Sequence, residues 1–203
     1  MKNDKDTKAK LLESARKEFM EKGYMHASLR SICKNAGVTT GALYFFFKEK
    51  EDLFASLVEE PLNMLYDTMN NHYEGELQRA DKGSLVSEDF SEDLNAAKQI
   101  IHYLFKYHDE FLLIVTKSQG SRFEKSLERF VDITEKQYRL LADKISAMTN
   151  KALIDDYMIH WMAHMHIDIF VHMLTHEKSE EAAIKHMESI TKYLVMGWNG
   201  MFK

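Results

Sequence analysis

The sequence predicts an all-α protein, and three observations support this fold class. One proline and eight glycines in 203 residues are too few for an all-β chain, which needs turn residues about every ten positions. Apolar residues recur at intervals of three and four, which is the period of an amphipathic helix. The hydrophobic content of 45% is sufficient for the buried core of one long domain or two small ones.

Three short helices are predicted at the N-terminus, each with a recognisable boundary. The first covers residues 5–22 and ends where Gly23 provides a left-handed backbone position. Ser28 caps the second helix, which ends at the turn that contains Gly37. Thr39 caps the third helix, which finishes with a run of aromatic residues.

Six further helices are predicted along the rest of the chain. The fourth, over residues 50–77, contains Pro61 and is expected to kink there, because proline removes a backbone hydrogen bond. Residues 80–91 have no sustained period and predict a loop. Ser121 and Glu124 have the spacing of a capping box. The ranges predicted for the last five helices are 92–107, 109–117, 122–149, 151–176 and 179–199.

Charge is unevenly distributed. Residues 1–50 carry 11 lysines and arginines against 6 aspartates and glutamates, a net charge of +5, and the total of −5 leaves −10 for the rest. A basic N-terminal segment favours a polyanionic partner.

The second and third helices are joined by residues 34–38, which is the anatomy of a helix-turn-helix. Small residues at the tip of the third helix allow close approach to a DNA groove. These residues are Thr39, Thr40, Gly41 and Ala42.

Four consecutive aromatic residues begin at Tyr44 in the third helix. Leu43 and Phe47 are four residues apart, so they share the face that packs inward on the first two helices. Tyr44 is predicted to reach a DNA phosphate with its hydroxyl group. Phe45 is predicted to contact a thymine methyl group. The lysines predicted to bind phosphates are Lys48 and Lys50.

The segment LLESARKEFMEKGYMHASLRSICKNAGVTTGALYFFFKEKEDLF resembles the DNA-binding region of TetR/AcrR-type transcriptional regulators. In that family a glycine-aromatic helix end, a Thr or Ser cap, an Ile-Ala-x-x-Ala-Gly-Val turn, a small-residue helix tip, Leu-Tyr, Phe-Lys and Lys-Glu-x-Leu recur in this order. The resemblance covers about residues 7–54. Three features depart from it: Cys33 stands where alanine is usual, Thr40 stands where a lysine is frequent, and Phe45-Phe46 replaces a frequent Tyr-His or His-Tyr pair.

The resemblance implies a transcriptional repressor with two domains. Residues 1–50 would form a helix-turn-helix DNA-binding domain, and residues 51–203 a larger helical ligand-binding and dimerisation domain. A homodimer would bind a palindromic double-stranded DNA operator and release it when a small-molecule effector moves the fourth helix. Carried over by position, the DNA-binding residues would be Ser28, Arg30, Thr39, Thr40, Gly41, Ala42, Tyr44, Phe45, Lys48 and Lys50.

Residues 157–178 contain five of the ten histidines. Four of these histidines and one aspartate follow each other at four-residue steps and form a slowly turning stripe of potential metal or haem ligands. Packing at a dimer interface is the competing interpretation and the one that we favour, so no metal or cofactor is assigned. The histidine stripe consists of His160, His164, Asp168, His172 and His176.

The chain contains no Glu-x-x-His pair, no His-Glu-x-x-His motif and no Walker-type glycine loop. An enzyme is therefore not expected. Two alternatives to a regulator remain open: a helical metal- or haem-binding protein or enzyme that uses the histidine stripe, and a DNA-bound scaffold that recognises another protein through its acidic body.

The second domain is rich in methionine and aromatic residues, which predicts an adaptable apolar pocket for the effector. Ile190, Leu194 and Trp198 share one stripe of the last helix. Paired with the histidine-rich helix, this stripe would make the four-helix contact of a two-fold homodimer. The predicted ligand-binding residues are Tyr66, Tyr103, Phe111, Tyr138, Trp161, Met165 and Asp168.

The single cysteine, Cys33, excludes an internal disulfide framework. The sequence has no secretory h-region and no apolar run of about 18 residues. We therefore expect a cytoplasmic protein without a membrane partner.

Overall fold

The computed structural model describes residues 2–81 and 90–202, and every regular element within them is helical, which confirms the all-α prediction. Most of the predicted loop over residues 80–91 lies outside the described residues. The elements are α1 (Lys2–His26), α2 (Leu29–Ala36), α3 (Thr40–Phe46), α4 (Lys50–Asp81), α5 (Ser91–Lys106), α6 (His108–Leu112), a π-helical turn (Leu113–Lys117), α7 (Ser126–Thr149), α8 (Asp156–His176) and α9 (Glu180–Gly200). None of these described helices is both long and apolar enough to span a membrane.

The packing divides the chain into two compact units. The N-terminal unit consists of Met1–Asn63 and Tyr107–Ser126, and the C-terminal unit consists of Met64–Lys106 and Leu127–Lys203. This division groups the start of α4 and the segment around α6 with the first three helices. The domain boundary expected at residue 50 stays a prediction.

The caps of α2 and α3 are confirmed. The Ser28 hydroxyl accepts a hydrogen bond from the backbone N–H of Ser31, and the Thr39 hydroxyl accepts one from Ala42. Gly37 ends α2 in the left-handed region, with φ 68°. Gly23 also has a positive φ of 72° and a non-helical ψ of 165°, so the backbone of α1 is broken there and a separate short helical stretch continues to His26. The predicted end of the first helix at residue 22 is therefore confirmed.

Aromatic rings form the core of the N-terminal unit. Phe19 of α1 and Phe54 of α4 are fully buried, and their rings meet edge to face with centroids 4.9 Å apart. Tyr24 and Phe123 pack against Phe54 at centroid distances of 5.2 Å and 5.8 Å. Phe123 belongs to the segment that follows α6, so this cluster ties that segment to α1 and α4 inside the unit.

Two buried polar contacts attach α2 to α1. The Ser14 hydroxyl donates to the carbonyl oxygen of Ile32 at 2.9 Å. The Glu18 carboxylate accepts from the backbone N–H of Ser28 at 3.1 Å and from Lys22 at 2.8 Å. Because buried polar groups are costly when unpaired, these contacts disfavour other placements of α2.

Two apolar clusters form the core of the C-terminal unit. The first consists of Ala142, Ile145, Ile154, Ile159, Met162 and Phe202. The second consists of Ala97, Ile101, Met173, Ala183 and Met187. Trp198 packs against the first cluster and Ile190 against the second. The stripe of α9 that was expected at the homodimer contact therefore packs inward at these two residues.

Two predicted helix starts were wrong. The carboxylate of Glu124 accepts from the N–H of Gly120, and the Ser121 hydroxyl accepts from the N–H of Phe123, so these residues stabilise turns and α7 begins only at Ser126. α8 begins at Asp156 rather than at residue 151, because the side chain of Asp155 caps it. α4 continues through Pro61, and the kink expected there stays a prediction.

Candidate nucleic-acid interface and cavity

The short helix α3 has one buried face and one exposed aromatic face. Leu43 and Phe47 are 0% and 3% exposed, which confirms their predicted role as the inward plug. Tyr44 and Phe45 are 56% and 76% exposed. An exposed phenylalanine has an apolar ring in water without compensation from packing. Two adjacent exposed rings on a capped helix therefore indicate a contact surface.

The other predicted DNA-binding residues lie around this face. Thr39, Thr40 and Gly41 are exposed and Ala42 is half-buried at the start of α3. Ser28 is half-buried because it caps α2, and Arg30 is exposed in the first turn of the same helix. The N-terminal unit thus brings the predicted surface together on α2 and α3. The DNA contacts themselves stay a prediction.

The two predicted phosphate-binding lysines differ in their surroundings. Lys48 is exposed after α3. The ammonium group of Lys50 donates to the carbonyl oxygens of Tyr24 at 2.7 Å and Met25 at 3.2 Å. It also lies 4.5 Å from the centroid of the Tyr24 ring. Lys50 therefore satisfies carbonyl groups at the end of α1, where a cation is electrostatically favourable.

A polar network joins the end of α1 to the start of α4 and to the segment after α6. The Tyr24 hydroxyl donates to Glu51 at 2.7 Å, and burial together with this carboxylate raises the pKa of Tyr24 well above its ordinary value. Glu51 also accepts from the backbone N–H of Arg122 at 3.2 Å. The Arg122 guanidinium donates to Glu59 at 2.7 Å. These surface contacts connect the segments that carry the aromatic core of the N-terminal unit.

The C-terminal unit contains a cavity of about 520 Å³, within the size range of small-molecule sites. Three of the predicted ligand-binding residues line it: Tyr138, Trp161 and Met165. The structure does not bring the other four to this cavity. Tyr66 packs on Phe130 with centroids 4.3 Å apart, and Tyr103 lines a neighbouring open groove. The remaining two are Phe111, which is buried in the N-terminal unit, and Asp168, which is exposed.

The sequence interpretation overlooked His166 as a cavity residue. Its Nδ1 atom lies 2.8 Å from the Tyr138 hydroxyl, and both side chains line the cavity. Burial, with a smaller contribution from His72, lowers the pKa of His166 to about 4. His166 is therefore a neutral hydrogen-bonding group at neutral pH. His166 follows His164 by two residues, so it lies on a different face of the helix from the histidine stripe. This spacing was the feature of the sequence that could have identified it.

A second overlooked group combines a histidine with two carboxylates. His72 and Glu76 of α4 and Asp93 of α5 each offer one ligand atom, and these atoms lie within 4.8 Å of one another. Burial raises the pKa of Glu76 to about 8, with a further contribution from the charge of Asp93. Arg79 opposes this shift and pairs with Glu92 at 2.8 Å. All five residues line the cavity.

The histidine stripe of α8 is exposed at all five positions. His160 and His164 pack with ring centroids 4.6 Å apart, and His172 stacks on His176 at 4.1 Å. Within residues 2–81 and 90–202, the only group of three or more potential metal ligands whose ligand atoms lie within 4.8 Å of one another is His72, Glu76 and Asp93. The stripe is thus arranged as two surface pairs.

Comparison with known proteins identifies the N-terminal segment. Residues 11–57 match the family model described as bacterial regulatory proteins, tetR family. The fatty acid metabolism regulator protein of Bacillus subtilis (strain 168) is 30% identical over 92 residues, which is 45% of this chain and 47% of that protein. The transcriptional regulator TtgR of Pseudomonas putida is 26% identical over 143 residues, 70% of this chain and 59% of the relative. The chain thus spans about half the length of these curated relatives.

Solved structures extend the similarity to the whole fold. A Clostridium perfringens protein assigned as a fatty acid metabolism regulator superposes with a TM-score of 0.61 at 17% identity, over 93% of this chain and 97% of that one. The regulator FadR from Bacillus subtilis, in complex with stearoyl-CoA, superposes with a TM-score of 0.53 at 14% identity, over 93% and 98%. At these identities the similarity establishes the fold alone. The match over residues 11–57 and the helix-turn-helix geometry of α2 and α3 therefore relate the N-terminal segment to the tetR family of bacterial regulatory proteins.

Proposed function

We propose that this protein is a ligand-responsive, DNA-binding transcriptional repressor that leaves its operator when a small molecule binds in the C-terminal unit. The observation that carries the proposal is the exposed aromatic face of α3. Tyr44 and Phe45 stand in solvent, while Leu43 and Phe47 anchor the same helix to the core. This division of roles suits a helix that enters the major groove and reads base edges and phosphates.

The residues proposed to contact DNA supply both sequence reading and phosphate binding. Thr40 and Phe45 can contact base edges, where a phenyl ring fits a thymine methyl group. Tyr44, Arg30 and Lys48 are exposed polar or charged residues that can bind phosphates. Ser28 and Thr39 act through the backbone, because their hydroxyl groups cap α2 and α3.

The cavity in the C-terminal unit supports an apolar effector. Methionine and aromatic side chains form much of its wall, and such side chains adapt to different ligand shapes. The names of the relatives make fatty acyl compounds the first class to test. Glu76, Glu92 and Asp93 line the cavity, and Arg79 pairs with Glu92. We therefore expect an apolar effector without an anionic group to displace DNA at lower concentration than stearoyl-CoA.

A homodimer is part of the proposal, with exposed apolar residues of α8 and α9 as its contact. Tyr157 and Trp161 of α8 and Tyr193 and Met196 of α9 are exposed. Large exposed apolar side chains grouped on two helices indicate a protein contact. These four residues replace the inward-packed Ile190 and Trp198 in the proposed interface.

Selection of random duplex DNA by the purified protein, at about 150 mM salt, tests the proposed function. We expect an enriched palindromic sequence, because a two-fold dimer presents two α3 helices to two half-sites. Phe45→Ala should change the enriched sequence, since its ring is proposed to contact a base. Recovery of no preferred sequence by a folded protein would contradict the proposal, and a single unrepeated half-site would contradict the dimeric form.

The two lysines after α3 separate DNA contact from structural support. Lys48→Ala should weaken DNA binding across sequences and reduce the slope of log affinity against log salt by about one, with stability unchanged within about 0.5 kcal/mol. Lys50→Ala should lower the free energy of unfolding by about 2 kcal/mol, because charge-assisted hydrogen bonds to the end of α1 are lost. Denaturation and anisotropy titrations at several salt concentrations measure both. Unchanged stability of Lys50→Ala, with a reduced salt slope, would return Lys50 to the phosphate-binding set.

A further inference from the structure

A group in the wall of the cavity has the composition of a metal site. His72 and Glu76 are one helical turn apart on α4, and Asp93 lies in the first turn of α5. The Nε2 atom of His72 is 3.6 Å from Oε1 of Glu76. Two ligands of one tetrahedral ion, each at about 2.1 Å, would lie about 3.4 Å apart. The pair therefore needs little movement to share an ion, and Asp93 is within reach of both.

One atom in this group is buried without a hydrogen bond. The Oε2 atom of Glu76 is inaccessible to solvent and has no hydrogen-bond partner in the part of the chain that the structure describes. A buried carboxylate oxygen without a partner loses its hydration and gains nothing in return. A cation bound to Glu76 would supply the missing interaction at a site already bordered by His72 and Asp93.

The charge around the group also matches a divalent cation. Arg79 is a positive residue whose charge acts on Glu76, and its guanidinium is paired with Glu92 at 2.8 Å. With that pair neutral overall, the carboxylates of Glu76 and Asp93 balance a charge of +2 once the cation has displaced the proton that Glu76 holds at neutral pH. An imidazole nitrogen with two carboxylate oxygens is a donor set that Zn²⁺ accepts, and three protein ligands leave a position open for water or a further ligand.

We propose that His72, Glu76 and Asp93 bind one divalent transition-metal ion, such as Zn²⁺, in the wall of the C-terminal cavity. This site goes beyond the proposed DNA-binding function and does not depend on it. His72, Glu76 and Asp93 all line the cavity of about 520 Å³. A small molecule with a metal-binding group could therefore be held there by the ion as well as by apolar contacts.

Titration of chelator-treated full-length protein with Zn²⁺, in competition with a fluorescent chelator, tests the site. The exposed histidine pairs of α8 can bind zinc weakly, so the titration uses protein that carries His164→Gln and His176→Gln. We expect one equivalent of Zn²⁺ to bind, and we expect His72→Gln, Glu76→Gln or Asp93→Asn each to weaken binding by about 100-fold. Glu76→Gln keeps the shape of the side chain and cannot ionise in its buried position, so it should fold.

Glu177→Gln is the matched control. Glu177 pairs with His186 at 2.7 Å on the surface, so this variant removes a carboxylate beside a histidine elsewhere in the same unit. It should leave zinc affinity unchanged.

Zn²⁺ should also raise the thermal midpoint of the parent protein but not of Glu76→Gln, because only an ion that binds the folded state stabilises it. Equal zinc affinity in the parent and all three ligand variants, or no binding of one equivalent, would overturn the proposal. The titration contains no DNA, so its failure is distinct from failure of the DNA selection.

Discussion

Phe54→Ala is expected to lower the free energy of unfolding of the N-terminal unit by about 4 kcal/mol. Phe54 is 0% exposed and its ring touches three other aromatic rings. Truncation removes the buried ring and leaves a cavity that the neighbouring rings cannot close, because each is held by its own packing. The edge-to-face contacts with Phe19 and Tyr24 are lost as well.

Phe45→Ala is the matched control, since it makes the same chemical change in the same unit. Phe45 is 76% exposed, so its truncation should change the free energy of unfolding by less than about 0.5 kcal/mol. Its proposed contact with DNA predicts that this variant binds the selected operator more weakly although it is as stable as the parent.

Native-state hydrogen exchange of peptides from α1 to α3 measures the stability of this unit, and DNA titration measures binding. The expected pattern is a loss of protection in Phe54→Ala alone and a loss of sequence preference in Phe45→Ala. Equal loss of protection in both variants would mean that the exposed face of α3 is part of the core. Normal binding by Phe45→Ala would remove its ring from the proposed interface.

The comparison of these two phenylalanines shows what the sequence could predict. Helix caps are local, so Ser28 and Thr39 were identified from residue type and position, and helical spacing separated Leu43 and Phe47 from Tyr44 and Phe45. The start of α8 was misjudged because apolar residues continue through Leu153 and Ile154, although the helix begins only after the cap at Asp155.

The cavity could not be read from the sequence in the same way. Its polar groups come from α4, α5 and α8, and their proximity depends on how these helices pack. The four-residue spacing of His72 and Glu76 was visible, but Asp93 lies beyond a segment without helical period. His166 was hidden among neighbouring histidines, since spacing alone does not distinguish a buried imidazole from an exposed one.

His166→Gln and Glu76→Gln are expected to change the pH dependence of stability in opposite directions, in buffer with a chelator. In the folded protein the pKa of His166 is about 4, below its ordinary value of 6.5. Between these values the unfolded chain binds one more proton at this residue, so stability falls as pH decreases. At about 1.4 kcal/mol per pH unit, the loss from pH 6.5 to pH 4 is about 3 kcal/mol.

Glu76 has the reverse effect. Burial first, and then the charge of Asp93, raise its pKa in the folded protein to about 8, from an ordinary value of 4.5. Between these values the folded protein binds one more proton at this residue, so stability falls as pH increases. The full change between pH 4.5 and pH 8 is about 5 kcal/mol. Glu76→Gln removes this ionisation and should be increasingly more stable than the parent as pH rises.

The two contributions oppose each other between about pH 4.5 and 6.5. In this range the folded protein holds one proton, on Glu76, and the unfolded chain also holds one proton, on His166. Urea denaturation from pH 4.5 to 8 should therefore show that His166→Gln gains stability relative to the parent as pH falls, and Glu76→Gln as pH rises. Asp168→Asn, a change at an exposed residue of the helix that carries His166, should follow the parent. Parallel curves for the two cavity variants would mean that these groups are hydrated in the folded protein. Since a hydrated cavity would not leave Oε2 of Glu76 without a partner, that result would also weaken the argument for a bound ion.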